Sequence, residues 1–200
     1  MRNIILTVLV LALSVGALMA QPVFGARLGM NLANISYKDI DDNGSKIGLH
    51  LGGMMQYAVN PNIIIQPELL FSMKGVSWDI TGGSDDWSFN YIEIPILAKY
   101  NLAMETVKIQ PYLGPTIGIL LSAKSKWEYS GVSGDTDMKD DLNTIDLGLN
   151  IGADVVFMQN FVAGLSYNMG LTNIAKDQPS GADPVYNRAF MVNLGYIFGN

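Results

Sequence analysis

The stretch Ile145-Asp146-Leu147-Gly148-Leu149-Asn150-Ile151-Gly152-Ala153-Asp154-Val155 decides the fold. Every second residue is apolar, and every residue between is polar or Gly. An extended strand sends successive side chains to opposite faces, so this segment has one apolar face and one polar face. It continues to residue 157. The same two-residue rhythm returns over about 23–36, 46–59, 63–76, 90–101, 107–122, 161–173 and 188–198. Each segment is long enough to cross a bilayer as a tilted strand. Together they predict an all-β fold, an eight-stranded antiparallel transmembrane up-and-down β-barrel over 21–200.

Composition agrees. Only 15% of residues are charged and the mean hydropathy is +0.23, yet nothing after residue 20 approaches the ~18–20 apolar residues of a spanning helix. Apolar content without apolar runs is what strand alternation produces. The chain has no Cys, which excludes a disulfide framework or a thiolate metal site. Residues 1–20 read as a signal peptide: Met1-Arg2-Asn3 is a short positive start, Ile4 to Leu18 is apolar, and cleavage is expected after Ala20. Removing them leaves 11 basic against 18 acidic side chains, a formal charge of −7. An acidic chain without a basic patch is not a nucleic-acid partner.

The connections alternate in length. Those at 60–62, 102–106 and 158–160 are short, while 37–45, 77–89, 123–142 and 174–187 are long and polar. Short periplasmic turns with long outer loops predict an outer-membrane barrel with both mature termini on the periplasmic side. Pro67, Pro95, Pro111 and Pro115 fall inside strand patterns, each removing a ladder donor, and predict bulges or ladder irregularities there.

A soluble barrel with its apolar face inward around a ligand is the structural competitor. Two features favour an apolar face turned to lipid. The polar face is crowded with Gly at 48, 52, 114, 118, 148, 152, 164, 170 and 195, which relieves crowding inside a narrow barrel. That face also carries a balanced charge set, Arg27, Lys74, Lys99 and Lys108 with Glu68, Glu93, Asp146 and Asp154, suited to a closed and paired interior. Aromatics gather at both strand ends. Tyr57, Tyr100, Phe157, Tyr196 and Phe198 lie near the short turns. Phe71, Trp78, Phe89, Trp127, Tyr167 and Phe190 lie near the long loops, as expected for two interfacial girdles.

The segments Tyr91-Ile92-Glu93-Ile94-Pro95-Ile96-Leu97-Ala98-Lys99-Tyr100 and Gln110-Pro111-Tyr112-Leu113-Gly114-Pro115 carry a resemblance to a family, as does the close Leu194-Gly195-Tyr196-Ile197-Phe198. The chain resembles the small outer-membrane β-barrel family of Bacteroidota-type bacteria, often labelled PorT-like. The resemblance implies a cell-envelope location and a terminal strand read by the barrel-assembly machinery. It departs where Gly199-Asn200 follow the final Phe and where Asn193 stands in place of a common Gly. One named branch of the family is linked to secretion or gliding.

Candidate chemistry is sparse. His50 is the only His, and strand register sets Ser72 across the 60–62 turn from it, which would suit a lipid A-modifying enzyme. Both point into the barrel, however, while a lipid substrate arrives from outside. The interior carboxylates read as a salt-bridged plug, and eight strands leave no aqueous channel, which disfavours a small pore. Asp39, Asp41 and Asn43 match the first half of a calcium loop, but its closing acid is replaced by His50. Asp135, Asp137, Asp140 and Asp141 form a second acidic cluster. Trp78, Trp87, Trp127 and Tyr129 lie in or beside the two longest loops, as either a binding surface or a rim anchor. The expectation is a non-enzymatic structural or binding protein without a cofactor. Its partners would be outer-membrane lipid and lipopolysaccharide, the barrel-assembly machinery and an extracellular or secretion-system protein.

Overall fold

The computed structural model describes residues 21–36, 44–179 and 181–199. The expected signal peptide and most of the 37–45 connection, with Asp39, Asp41 and Asn43, lie outside the described residues. Ten strands are present among those described: β1 (Val23–Ser36), β2 (Lys46–Asn60), β3 (Ile63–Ile80), β4 (Gly83–Tyr100), β5 (Leu102–Ala103), β6 (Val107–Tyr129), β7 (Val132–Asp137), β8 (Ile145–Phe157), β9 (Phe161–Gly170) and β10 (Tyr186–Phe198). Eight of them close a ring in the order β1-β2-β3-β4-β6-β8-β9-β10, every neighbour antiparallel, with β10 returning to β1. A closed ring leaves no unpaired edge, so every spanning backbone group can bond within the sheet. Short β5 pairs only with β6 at the short-turn end, and β7 extends the sheet beside β6 at the other end.

Alternation sets the facing. In β1, Phe24, Leu28, Met30 and Leu32 are exposed, while Arg27 and Asn31 between them are buried. The same holds around the ring: Leu49, Leu113, Ile151 and Leu194 are about half exposed, and His50, Tyr112, Asn150 and Asn193 are buried. So large a continuous apolar outer surface is untenable in water and is the surface a lipid-embedded barrel needs. At the short-turn end Phe157, Phe161, Tyr196 and Phe198 form a chain of ring contacts across β8, β9 and β10, with centroids 5.1–5.9 Å apart. Such rings suit a membrane interface.

The interior glycines make room for large neighbours on the adjoining strand. Gly29 pairs with His50, Gly152 with Tyr112 and Gly164 with Asp154. A Cβ on Gly29 would stand 2.5 Å from the His50 ring, and one on Gly152 would stand 2.7 Å from Tyr112 Cζ.

Two expectations meet the structure differently. First, the prolines interrupt the ladder, as expected, but without a bulge: pairing skips from Pro67–Ile96 to Leu70–Glu93 and from Pro95–Thr116 to Ala98–Leu113 with the register kept, and the β6–β8 pairing runs unbroken through Pro111 and Pro115. The shifts that do occur lie elsewhere, at Ala58/Asn60 and Asn90/Tyr91. Second, 77–89 and most of 123–142 are not loops. Strands β3 and β4 run on as a hairpin closed by Thr81-Gly82, and β6 and β7 close another at Ser130-Gly131, where both residues have positive φ.

The strand pattern inverts where these hairpins leave the barrel. Below the inversion, apolar residues such as Met73 and Leu121 face outward, and polar ones such as Lys74 face inward. Above it the inner face is apolar, with Val76, Phe89 and Ala123 fully buried. Ser77, Asp86, Ser88, Lys124 and Lys126 occupy the outer positions. A surface that meets lipid below and water above requires this exchange, so the inversion marks the edge of the hydrocarbon.

Filling the space that Gly152 leaves is expected to overpack the interior and cost about 1–3 kcal/mol. Gly152→Ala should lower the urea midpoint of the barrel refolded into liposomes. Gly53→Ala, on the outer face with its nearest neighbour 3.9 Å away, should leave the midpoint unchanged.

Candidate functional site

The lumen is built in layers. At the short-turn end Met54, Val156, Val162 and Ile197 pack together with Val23 at their edge. Above them lies a group of charges from four strands. Arg27 on β1 donates through Nη2 to Asp154 Oδ2 on β8 at 2.6 Å, and its Nε lies 3.2 Å from Glu68 Oε1 on β3. Lys99 on β4 donates to the same Asp154 oxygen, and Gln66 donates to Glu68. The Lys99 ammonium also lies over the Tyr112 ring, 5.1 Å from its centroid.

The next layers cross the full diameter. Lys74 on β3 donates to Glu93 on β4 at 2.6 Å and to Asn168 on β9 at 2.8 Å, and β3 and β9 are opposite each other in the ring. Asn187 on β10 donates to Asp146 at 2.8 Å and to the Tyr91 hydroxyl of β4, its opposite strand, at 3.0 Å. Thr172 donates to the other Asp146 oxygen at 3.1 Å.

An apolar cap closes the far end. Ile35, Val76, Phe89, Tyr91, Leu120, Ala123, Leu142 and Ile174 are buried together, with Trp78, Trp87, Met138 and Val185 packed against them. Trp78 and Trp87 meet edge-on at 5.1 Å, and Trp87 donates its indole N–H to Asp85 at 3.1 Å. The segment 171–185 contributes Ile174 and is tied down by a Leu142–Ala175 bridge.

Seven of the eight expected interior charges, Arg27, Glu68, Lys74, Glu93, Lys99, Asp146 and Asp154, are buried in this lumen. Lys108 is not among them. It is exposed at the short-turn mouth beside Gln56, Asn101 and Gln110, because at the start of β6 the strand lies below the charged layers, level with Val156 of the apolar layer. His50 and Ser72 pair in register, but Asn31 stands between them: Asn31 Nδ2 donates to Ser72 Oγ at 3.1 Å, and Asn31 Oδ1 is 2.7 Å from His50 Nδ1. A serine engaged by an amide, with no His bond, is not an activated nucleophile. Phe89, expected at an interfacial girdle, is fully buried in the cap. Trp78 and Trp87 are half-buried there too, whereas Trp127 and Tyr129 rise beyond the cap and are exposed. All four lie in strands rather than loops. Of the acidic cluster, Asp137 accepts from the Lys139 N–H, and Asp140 and Asp141 lie in a 3-10 turn. No group of three or more His, Cys, Asp or Glu among the described residues is placed to hold a metal.

A family profile described as outer membrane protein beta-barrel domain matches residues 19–176. The chain belongs to this family. It is therefore an outer-membrane protein, and the apolar belt described above is its lipid contact. A comparison with curated proteins finds no significant match. Among solved structures, Neisserial surface protein A is similar, at 14% identity over 90% of this chain and 100% of that one, with a TM-score of 0.54. A major outer membrane protein from Thermus thermophilus matches at 11% identity over 90% and 100% of the two chains, with a TM-score of 0.49. Ail, the attachment invasion locus protein of Yersinia pestis, matches at 17% identity over 90% and 100%, with a TM-score of 0.44. The likeness to the Neisserial protein is one of fold.

Asp154 is the shared acceptor of two buried cations. Removing one member of a buried charge group leaves the others uncompensated, at a cost of about 3–5 kcal/mol. Asp154→Ala is expected to destabilise the liposome-folded barrel by that much in urea titration. A loss below about 1 kcal/mol would mean that water already solvates Arg27 and Lys99.

Proposed function

We propose that this protein is a non-conducting, non-enzymatic outer-membrane barrel with a structural or binding role, and that it carries a rigid sheet beyond the membrane. The observation that supports this reading is the sealed lumen. Charged layers span its diameter, and apolar layers lie at both ends. Eight-stranded barrels have interiors that side chains alone can fill, and a filled interior gives neither a diffusion path nor a substrate cavity. The presented element is the sheet β3-β4-β6-β7. Its tip carries exposed Trp127, Tyr129 and Val132 on one face. On the other face a concavity of about 400 Å³ is lined by Asp86, Lys126, Glu128 and Asp135. Short regular hairpins make this surface stiffer than free loops, so a partner would bind it with little ordering cost.

In this reading residues 1–20 direct export and are removed, the short turns and both mature termini are periplasmic, and the sheet extension faces outward. The narrower PorT-like likeness fits, since Tyr91, Glu93, Lys99 and Tyr112 of its motif segments help build the lumen. Because the chain has no Cys, single cysteines report orientation directly. Ser133→Cys on β7 should react with a membrane-impermeant maleimide on intact cells, and Glu105→Cys should react only after the outer membrane is opened. The reverse pattern would invert the proposed orientation. In planar bilayers the purified protein should give no stepwise conductance, and reproducible single-channel steps would replace this reading with a pore.

A further inference from the structure

Arg188 is the one described arginine outside the lumen, and its surroundings differ from those of most other cations in the chain. Arg27, Lys74, Lys99 and Lys46 each have a carboxylate within ion-pair distance. Lys124 and Lys126 face Asp137 and Asp135 across the β6–β7 pair. Arg188 has no carboxylate in such range among the described residues, and its cross-strand neighbours are the neutral Asn34 and Met169. Its Nε is buried with no hydrogen-bond partner among the described residues.

The position is specific as well. Asn187 and Ala189 are buried in the lumen, so Arg188 shares the outer face of β10 with Phe190 and Val192, which are exposed in the apolar belt. Leu32 and Met169 border it on the adjoining strands, both exposed. Arg188 therefore stands at the upper edge of the hydrocarbon, where an uncompensated cation is unfavourable and an anion in the headgroup layer is at hand. The guanidinium offers a planar fork of N–H donors that matches a phosphate in bidentate fashion. Asn34 adds an amide donor across the β1–β10 pair.

We propose that Arg188, assisted by Asn34, binds the phosphate of a lipid headgroup in the leaflet at the hairpin end of the barrel. In the orientation proposed above this is the outer leaflet, so the ligand class is a phosphorylated outer-leaflet lipid. The site would hold one lipid in place at the β1–β10 seam, where the ring closes.

The test uses native mass spectrometry of the full, heat-modifiable protein in detergent micelles. Its probes are bisphosphorylated lipid A, the same lipid A stripped of phosphate, and inorganic phosphate. Retention of the bisphosphorylated lipid should fall roughly tenfold in Arg188→Gln, the loss of about one charge-assisted hydrogen-bonded pair. The stripped lipid should be held weakly and equally by both proteins. If Arg188→Gln does not fold, Arg188→Lys reads the same contrast, since an ammonium keeps the charge but loses the fork. Equal retention of the phosphorylated lipid by the wild type and the folded variant overturns the proposal. So does retention of the stripped lipid by the wild type at the same level. Tight binding of inorganic phosphate that displaces the lipid overturns the lipid assignment. Binding in micelles does not depend on which way the barrel inserts, so failure here and failure of the cysteine-labelling pattern are separable.

Discussion

The interaction on which the rest of the structure depends is the shared carboxylate of Asp154, which accepts from Arg27 and Lys99 in the middle of the barrel. A narrow ring of strands in lipid gains little from burying apolar side chains, because the lipid outside is as apolar as any core. Its cohesion must come from backbone ladders and from what fills the lumen. Charges there are costly unless fully paired. Here each layer is paired across different strands: β1 and β4 to β8, β3 to β4 and β9, and β10 to β4. Any other registration of the ring would leave several of these groups alone in a low-dielectric interior, so the network specifies the barrel's shear as well as stabilising it.

The same constraint explains the glycines. A narrow lumen has room for its largest and most central side chains where the facing position on a neighbouring strand carries no side chain. Gly therefore faces Arg27 (Gly52), His50 (Gly29), Tyr112 (Gly152) and Asp154 (Gly164). Large-against-Gly pairing lets four strands send long polar side chains to one centre. Overpacking a Gly and unpairing a charge are thus two ways of disturbing one arrangement.

Above the membrane the physics changes sign. Once β3, β4 and β6 leave lipid, their outer face meets water and their inner face can be apolar. The aromatic cap of Phe89, Trp78 and Trp87 forms there. The cap seals the lumen and anchors the free sheet to the barrel. Two long connections thereby become regular hairpins packed onto the barrel.

Much of this was legible in the chain itself. The alternation over 145–155 and its repeats determined the strand number, the facing and the lipid-exposed belt, because a two-residue period leaves no freedom about which side chains share a face. The boundaries of β1 and β8 and the burial of Arg27, Glu68, Lys74, Glu93, Lys99, Asp146 and Asp154 follow from that period alone. The tertiary structure decided what depends on depth. The segments 77–89 and 123–142 looked like loops because a strand pattern tuned to lipid reverses when its surroundings become water, and the sequence carries no mark of where the bilayer ends. Lys108 has the parity of an interior residue but sits at the mouth, since parity gives the face and not the height. Arg188, conversely, acquires its meaning only from the belt beneath it and from neighbours on the adjoining strands, Asn34 and Met169, that carry no charge.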